Sequence, residues 1–171
     1  MSHDERIAQT LAAFEAAMDR FTARVSAVPA DQAQRPGPDG EWSVAQITWH
    51  VAVTNEGFAG LVNGTRPLAR APEPEFVETP FGDIQAIIPD KLEAPDMFQP
   101  PADATMADVL PRLNASRAAF VDAYTALAEE RAGWTIKSIL GLLTLYQVGD
   151  WAAAHVARHN AQAKRRLGPS S

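Results

Sequence analysis

Residues 144–167, TLYQVGDWAAAHVARHNAQAKRRL, carry a complete helix signature. Thr144 and Gln147 form a capping-box pattern at the start, and the pair Gly168-Pro169 follows as a stop signal. Between them, one stripe recurs at alternating steps of four and three, the spacing of a bundle seam. Its members are Val148, Ala152, His155, His159, Gln162 and Arg166. The pattern predicts a bundle helix whose inward face is polar where a core is normally apolar.

Similar signals predict three long helices before this one. The first begins at Ser2, with Glu5 as its capping partner, and ends at Pro29. Its seam is Ile7, Leu11, Phe14, Met18, Phe21, Val25 and Val28. The second begins at Ser43 and closes at Gly64, with a stripe of Val44, Ile47, Val51, Thr54, Phe58 and Leu61.

The third helix is predicted to begin at Thr105, with Asp108 three residues on, and to stop at Gly133. Its buried face is predicted to be Met106, Leu110, Leu113, Phe120, Tyr124 and Leu127. Four long helices and almost no strand pattern predict an all-α, four-helix bundle. With 171 residues, the whole chain 1–171 is expected to form one domain.

Two segments do not follow the helical period. Residues 65–104 are rich in proline and predict a long crossover between the second and third helices, with a short strand or turn over 76–88. We expect this crossover to cover one end of the bundle, since connections of this length are often functional. The apolar segment 134–143 fits neither a helix nor a strand clearly.

Three histidines fall on the inward stripes and suggest a metal site. His155 and His159 are four residues apart, so they lie one above the other on one helical face. His50 lies on the inward stripe of the second helix, and bundles build metal sites from facing helices in this way. The alternative is that these histidines are core or surface residues that bind nothing. Three imidazoles would leave a further position open on zinc, nickel, iron or copper.

Other chemistries are disfavoured by specific absences. Val156 follows His155 where zinc metalloproteases have glutamate, and no histidine has a glutamate three residues before it, as di-iron bundles need. The chain has no cysteine, no glycine-rich phosphate loop and no Gly-x-Ser-x-Gly elbow.

Composition sets the expected surroundings. The net charge is −6, and the one basic cluster, Lys164-Arg165-Arg166, closes the last helix where cations favour the dipole. Nucleic acid is therefore not expected as a partner. No apolar run is long enough to span a membrane and the first residues carry no signal-peptide pattern, so a cytoplasmic location is expected.

Several short motifs, in this order, resemble the DinB/YfiT-like superfamily of metal-dependent proteins. They are Glu41-Trp42-Ser43 followed by His50, the segment Lys91-Leu92-Glu93-Ala94-Pro95, and Asp150-Trp151 followed by His155, His159 and Gln162. The resemblance implies a four-helix bundle, often a homodimer, with zinc or nickel on His50, His155 and His159. It also implies that some relatives transfer or isomerise substrates with a low-molecular-weight thiol such as bacillithiol, mycothiol or glutathione.

Two functions follow as hypotheses. The first is a metal-dependent enzyme, of hydrolase or thiol S-transferase type, that acts on a small molecule by activating water or a thiol at the open position. The second is a metal- or small-ligand-binding bundle without catalysis. No acid or base partner for the metal site is evident: Asp150, Glu56 and Gln147 are expected at the helix surface or in caps. Trp49 and Trp151 are expected in core or dimer packing, and Gln162 either orients a ring or faces solvent.

Overall fold

A computed structural model describes residues 1–80 and 93–168. Its four long helices are α1 (His3–Ser26), α3 (Val44–Asn63), α4 (Met106–Thr125) and α6 (Leu145–Leu167). The short helices α2 (Ala30–Ala33) and α5 (Glu129–Ala132) and the 3-10 turns Pro38–Gly40 and Asp96–Phe98 lie in the connections. The prediction of an all-α four-helix bundle is confirmed.

The four long helices pack in the spatial order α1, α6, α3, α4. Helix α1 lies mainly against α6, α3 lies mainly against α4, and α3 also packs on α6. The inward stripes of α1 and α3 are largely buried, as predicted, and meet in one continuous apolar core. This order places the predicted histidine faces of α3 and α6 against each other.

The helix starts follow the predicted caps. The caps are Ser2, Ser43 and Thr144. Each side chain accepts a hydrogen bond from the backbone N–H of the Glu or Gln three residues later, and the side chain of that Glu or Gln accepts one from the backbone N–H of the cap residue. These caps satisfy N–H groups that have no partner inside a helix, which fixes where each helix begins. Gly64 ends α3 in the left-handed conformation, with φ of 86°.

A close approach between α4 and α6 depends on glycine. Tyr124 is fully buried, and its hydroxyl donates a 3.0 Å hydrogen bond to the carbonyl of Tyr146. A Cβ on Gly149 would lie only 2.4 Å from the Tyr124 ring. The ring therefore occupies the volume that any side chain at position 149 would need.

Between α4 and α6, the structure corrects one sequence prediction and settles one segment that the sequence left ambiguous. The third long helix does not reach Gly133: it ends at Thr125, and an extended backbone at Ala128 (ψ of 141°) begins the separate helix α5. The ambiguous segment forms a hairpin of β1 (Thr135–Ser138) and β2 (Gly141–Thr144), with Thr135 opposite Thr144. Leu127 and Ala132 stay buried on either side of the break, so the turn preserves core packing.

The described part of the crossover contacts the rest of the protein at several places. Near the start of α6, Thr144 donates a hydrogen bond to Glu78, and the Gln147 side chain donates one of 2.7 Å to the carbonyl of Thr79. Farther on, the Asp96–Phe98 turn packs on α3. The short strand or turn predicted over 76–88 is not formed in residues 76–80, and residues 81–88 lie outside the described part of the chain.

Within the two described ranges, no helix combines the length and the hydropathy that crossing a bilayer requires.

Candidate metal centre

The three predicted histidines meet between α3 and α6. His50 comes from the second turn of α3, and His155 and His159 come from consecutive turns of α6. His50 and His159 are buried, with 6% and 8% of their surface exposed, whereas His155 is half-buried. The inward stripes therefore bring together the residues that the sequence selected.

The Nε2 atoms of the three rings converge. The Nε2 of His155 lies 3.1 Å from the Nε2 of His50 and 3.1 Å from the Nε2 of His159. Two nitrogens bound to one metal at about 2.05 Å would be about 2.9 Å apart at a right angle and about 3.3 Å apart at a tetrahedral angle. These two separations lie between the two values, and one ligand nitrogen from each of the three rings lies within 4.8 Å of the others, so the three histidines could hold one transition-metal ion.

The opposite nitrogens of two rings have oxygen partners. The Nδ1 of His50 donates a 2.8 Å hydrogen bond to the backbone carbonyl of Phe98. The Nδ1 of His159 donates a 2.6 Å hydrogen bond to the Oε1 of Gln162. Because these oxygens can only accept, each Nδ1 carries the proton, and in a neutral ring each Nε2 is left with a lone pair. Both rings are thus held in the tautomer that a metal ligand needs.

His155 differs from its two neighbours. Its Nδ1 is buried and has no hydrogen-bond partner within the described ranges. Its Nε2 faces the Nε2 atoms of both other histidines, so its ring completes the convergent set. Phe58 packs edge-on to it, with ring centroids 6.0 Å apart, and so limits the orientations of the ring.

Burial keeps all three imidazoles neutral. It lowers the pKa of His50, and the hydrogen bond to Phe98 offsets this only in part. Burial, reinforced by the neighbouring imidazoles, lowers the pKa of His155 well below its ordinary value and that of His159 to about 3. At neutral pH a metal therefore does not have to displace the second proton of an imidazolium ring.

The three residues named above as possible acid or base partners of the metal site bind other groups instead. Asp150 accepts a hydrogen bond from Thr10, Glu56 forms an ion pair with Arg112, and Gln147 is a cap. In the part of the chain that the structure describes, the group of convergent side chains that could hold a metal ion contains the three histidines and no carboxylate. Gln162 was predicted either to orient a ring or to face solvent, and in the structure it is bonded to the ring of His159.

Aromatic side chains surround the histidines. The Trp42 ring lies 4.9 Å from the His50 ring, and Phe58 contacts Trp151 as well as His155. Trp151 and Trp49 are both partly buried against the core, which agrees with their predicted packing role. His3 lies apart from this site, with its Nδ1 2.7 Å from the hydroxyl of Tyr146.

One contributor to the site was missed in the sequence. Phe98 lies in the crossover, 48 residues beyond His50, and it contributes a backbone carbonyl. Every residue has such a carbonyl, so no side-chain pattern could have indicated it. The proline-rich composition indicated that the segment is a crossover, but not which of its residues contacts the histidines.

The profile of the DinB superfamily matches residues 13–163. The chain belongs to the DinB superfamily. The matched span of this DinB protein contains all three histidines and Gln162, and it includes most of the four long helices. No curated protein and no solved structure gives a significant match. The chemistry of this DinB protein is therefore argued from its own site.

Proposed function

We propose that this DinB protein is a metal-dependent enzyme that holds one divalent transition metal on His50, His155 and His159. The observation that carries the proposal is the convergence of three Nε2 atoms, with neighbouring separations of 3.1 Å, in rings whose pKa values are lowered. Zinc and nickel are the proposed metals, because the family resemblance implies them and a ligand set of imidazoles without thiolate suits both.

The residues around the site each have a definable task. Phe98 and Gln162 fix the rings of His50 and His159, so the ligand geometry is set before the metal arrives. Trp42 and Phe58 pack on the histidines and reduce the access of water from their sides. A divalent metal with an open position lowers the pKa of a water or thiol bound to it. The proposed reactions are accordingly hydrolysis or thiol S-transfer, with a small molecule as substrate and a low-molecular-weight thiol as co-substrate in the second case.

Elemental analysis of untagged protein tests the metal site. We expect close to one equivalent of zinc or nickel per chain, and its loss in His50→Ala, His155→Ala and His159→Ala. His3→Ala is the matched control because it removes a histidine that lies apart from the cluster. Equal metal content in wild type and in the three cluster variants would refute the site.

A non-catalytic role is the second candidate. The ligands come from two helices, so a metal would cross-link α3 to α6 and stabilise the bundle. Metal removal lowers the melting temperature under either proposal. Hydrolysis and thiol-transfer assays separate them: turnover that depends on added metal supports the enzyme, and silence in both forms across the panel supports the structural role.

A further inference from the structure

A second feature of the molecule lies near the C-terminal end of α3, and none of the three histidines lines it. It is a cavity of about 260 Å³, and its lining includes Arg66, Arg70, Arg131 and Trp134. None of the residues that line it is acidic. The chain as a whole has 21 acidic and 15 basic residues, so a cavity lined by three arginines and no acidic residue is opposite in charge to the protein as a whole.

Neutral groups hold these three arginines in place. Arg70 donates hydrogen bonds of 2.5 and 2.8 Å to the carbonyls of Pro67 and Ala69. The guanidinium of Arg131 lies over the Trp134 ring, and that of Arg66 lies over the Phe98 ring. Such contacts orient a guanidinium without cancelling its charge.

No carboxylate neutralises the cluster within residues 1–80 and 93–168. None of the three arginines forms a salt bridge there. A second cavity, of about 280 Å³, provides a contrast. Its Arg35 is paired with Asp31 at 2.8 Å, and its Arg166 donates a hydrogen bond to the carbonyl of Trp42.

The ordinary explanation for cations near the end of a helix is that they cap its last carbonyls. Here the Gly60 carbonyl of α3 accepts hydrogen bonds from the backbone N–H groups of Gly64 and Arg66. The Arg70 side chain donates instead to carbonyls beyond the helix. The guanidinium groups thus keep N–H donors for another acceptor, and an anion could accept charge-assisted hydrogen bonds from them.

We propose that this cavity binds one small anionic group, a carboxylate or a phosphate. Planar guanidinium groups match both of these anions, because each offers two oxygens to a pair of N–H donors. The site is separate from the three histidines, and the proposal does not depend on the metal.

Calorimetric titration of the full-length protein with sodium phosphate, and separately with sodium succinate at equal ionic strength, tests the proposal. We expect saturable binding of at least one probe, weakened by about tenfold or more in Arg131→Gln and Arg70→Gln. Binding of phosphate alone or of succinate alone identifies which anion the cavity prefers. Circular dichroism melting curves establish that each variant is folded.

Two control variants locate the binding. Arg35→Gln removes the same charge from the other cavity, and His155→Ala removes a proposed metal ligand, so both are expected to bind like wild type. Unchanged affinity in the folded Arg131→Gln and Arg70→Gln variants, or the absence of saturation below about 10 mM, would overturn the proposal. Loss of binding in His155→Ala or in Arg35→Gln would also overturn it, because the anion would then lie elsewhere.

Discussion

The backbone carbonyl of Phe98 accepts a 2.8 Å hydrogen bond from the Nδ1 of His50. This contact joins the crossover to the buried face of α3. It also turns the Nε2 of His50 toward the other two histidines. A connection between two bundle helices therefore takes part in setting up the proposed metal site.

Metal removal is expected to loosen the Asp96–Phe98 turn. The N–H groups of Phe98 and Gln99 are bonded to the carbonyls of Pro95 and Asp96, and the turn is joined to His50 through the Phe98 carbonyl. Hydrogen exchange in residues 95–99 should be slower in the metal-loaded protein than in the stripped protein. The Ala30–Ala33 helix is the internal control and should not change. Equal exchange rates at 95–99 in both forms would contradict the coupling.

Gln162→Ala should weaken metal binding without removing a ligand. The substitution leaves the Nδ1 of His159 without its 2.6 Å acceptor, so the ring is no longer held in the ligating orientation. Loss of such a partner lowers metal affinity by about 10- to 100-fold. Competition with a chelator measures the change, and exposed Gln34→Ala is the control. If both variants bind metal as wild type does, Gln162 has no orienting role.

Gly149→Ala should destabilise the fold although alanine favours helices. The new Cβ would lie 2.4 Å from the buried Tyr124 ring, and overpacking of this kind costs about 1–3 kcal/mol. Gly133→Ala is the matched control, since its φ is −82° and no atom lies within 4 Å of the added Cβ. Urea unfolding should show a loss of stability for position 149 and little change for position 133. Equal effects at both positions would rule out the close approach.

Mild acid should destabilise the metal-free protein through its buried histidines. Folding lowers the pKa of His159 from its ordinary value to about 3, so between these pH values the unfolded chain binds more protons. The contribution of His159 to the free energy of unfolding is complete above about pH 6.5 and is lost progressively as the pH falls toward 3. Urea unfolding at several pH values measures the slope, which His159→Asn should reduce. The same slope in wild type and variant would show that His159 does not carry the effect.

Homodimerisation remains a prediction, drawn from the family resemblance. Light scattering on untagged protein should give twice the 18.5 kDa chain mass. The mass of a single chain at all tested concentrations would contradict the predicted homodimer.

Much of the bundle was predictable because the capping residues and the pattern of buried side chains indicate the same helices. Ser43 with Gln46 and Thr144 with Gln147 mark helix starts that tertiary packing does not shift. The histidines were identified for a related reason: they occupy seam positions where apolar residues are expected.

Where the prediction failed or was left open, local sequence does not determine the structure. The break at Ala128 lies in a sequence that suits a helix, and Leu127 and Ala132 are buried on either side of it. The hairpin after Gly133 depends on pairing between Thr135 and Thr144, and on a bridge from Arg70 to Thr135 that is remote in sequence. The Phe98 carbonyl could not be found from side-chain chemistry at all.

Support by a main-chain atom has an evolutionary consequence. A carbonyl survives every substitution, so position 98 can change its side chain without losing the bond to His50. Inserting or deleting residues between Pro95 and Gln99 would instead move the carbonyl away. As far as the bond to His50 is concerned, selection should therefore act on the length of the segment rather than on the identity of residue 98.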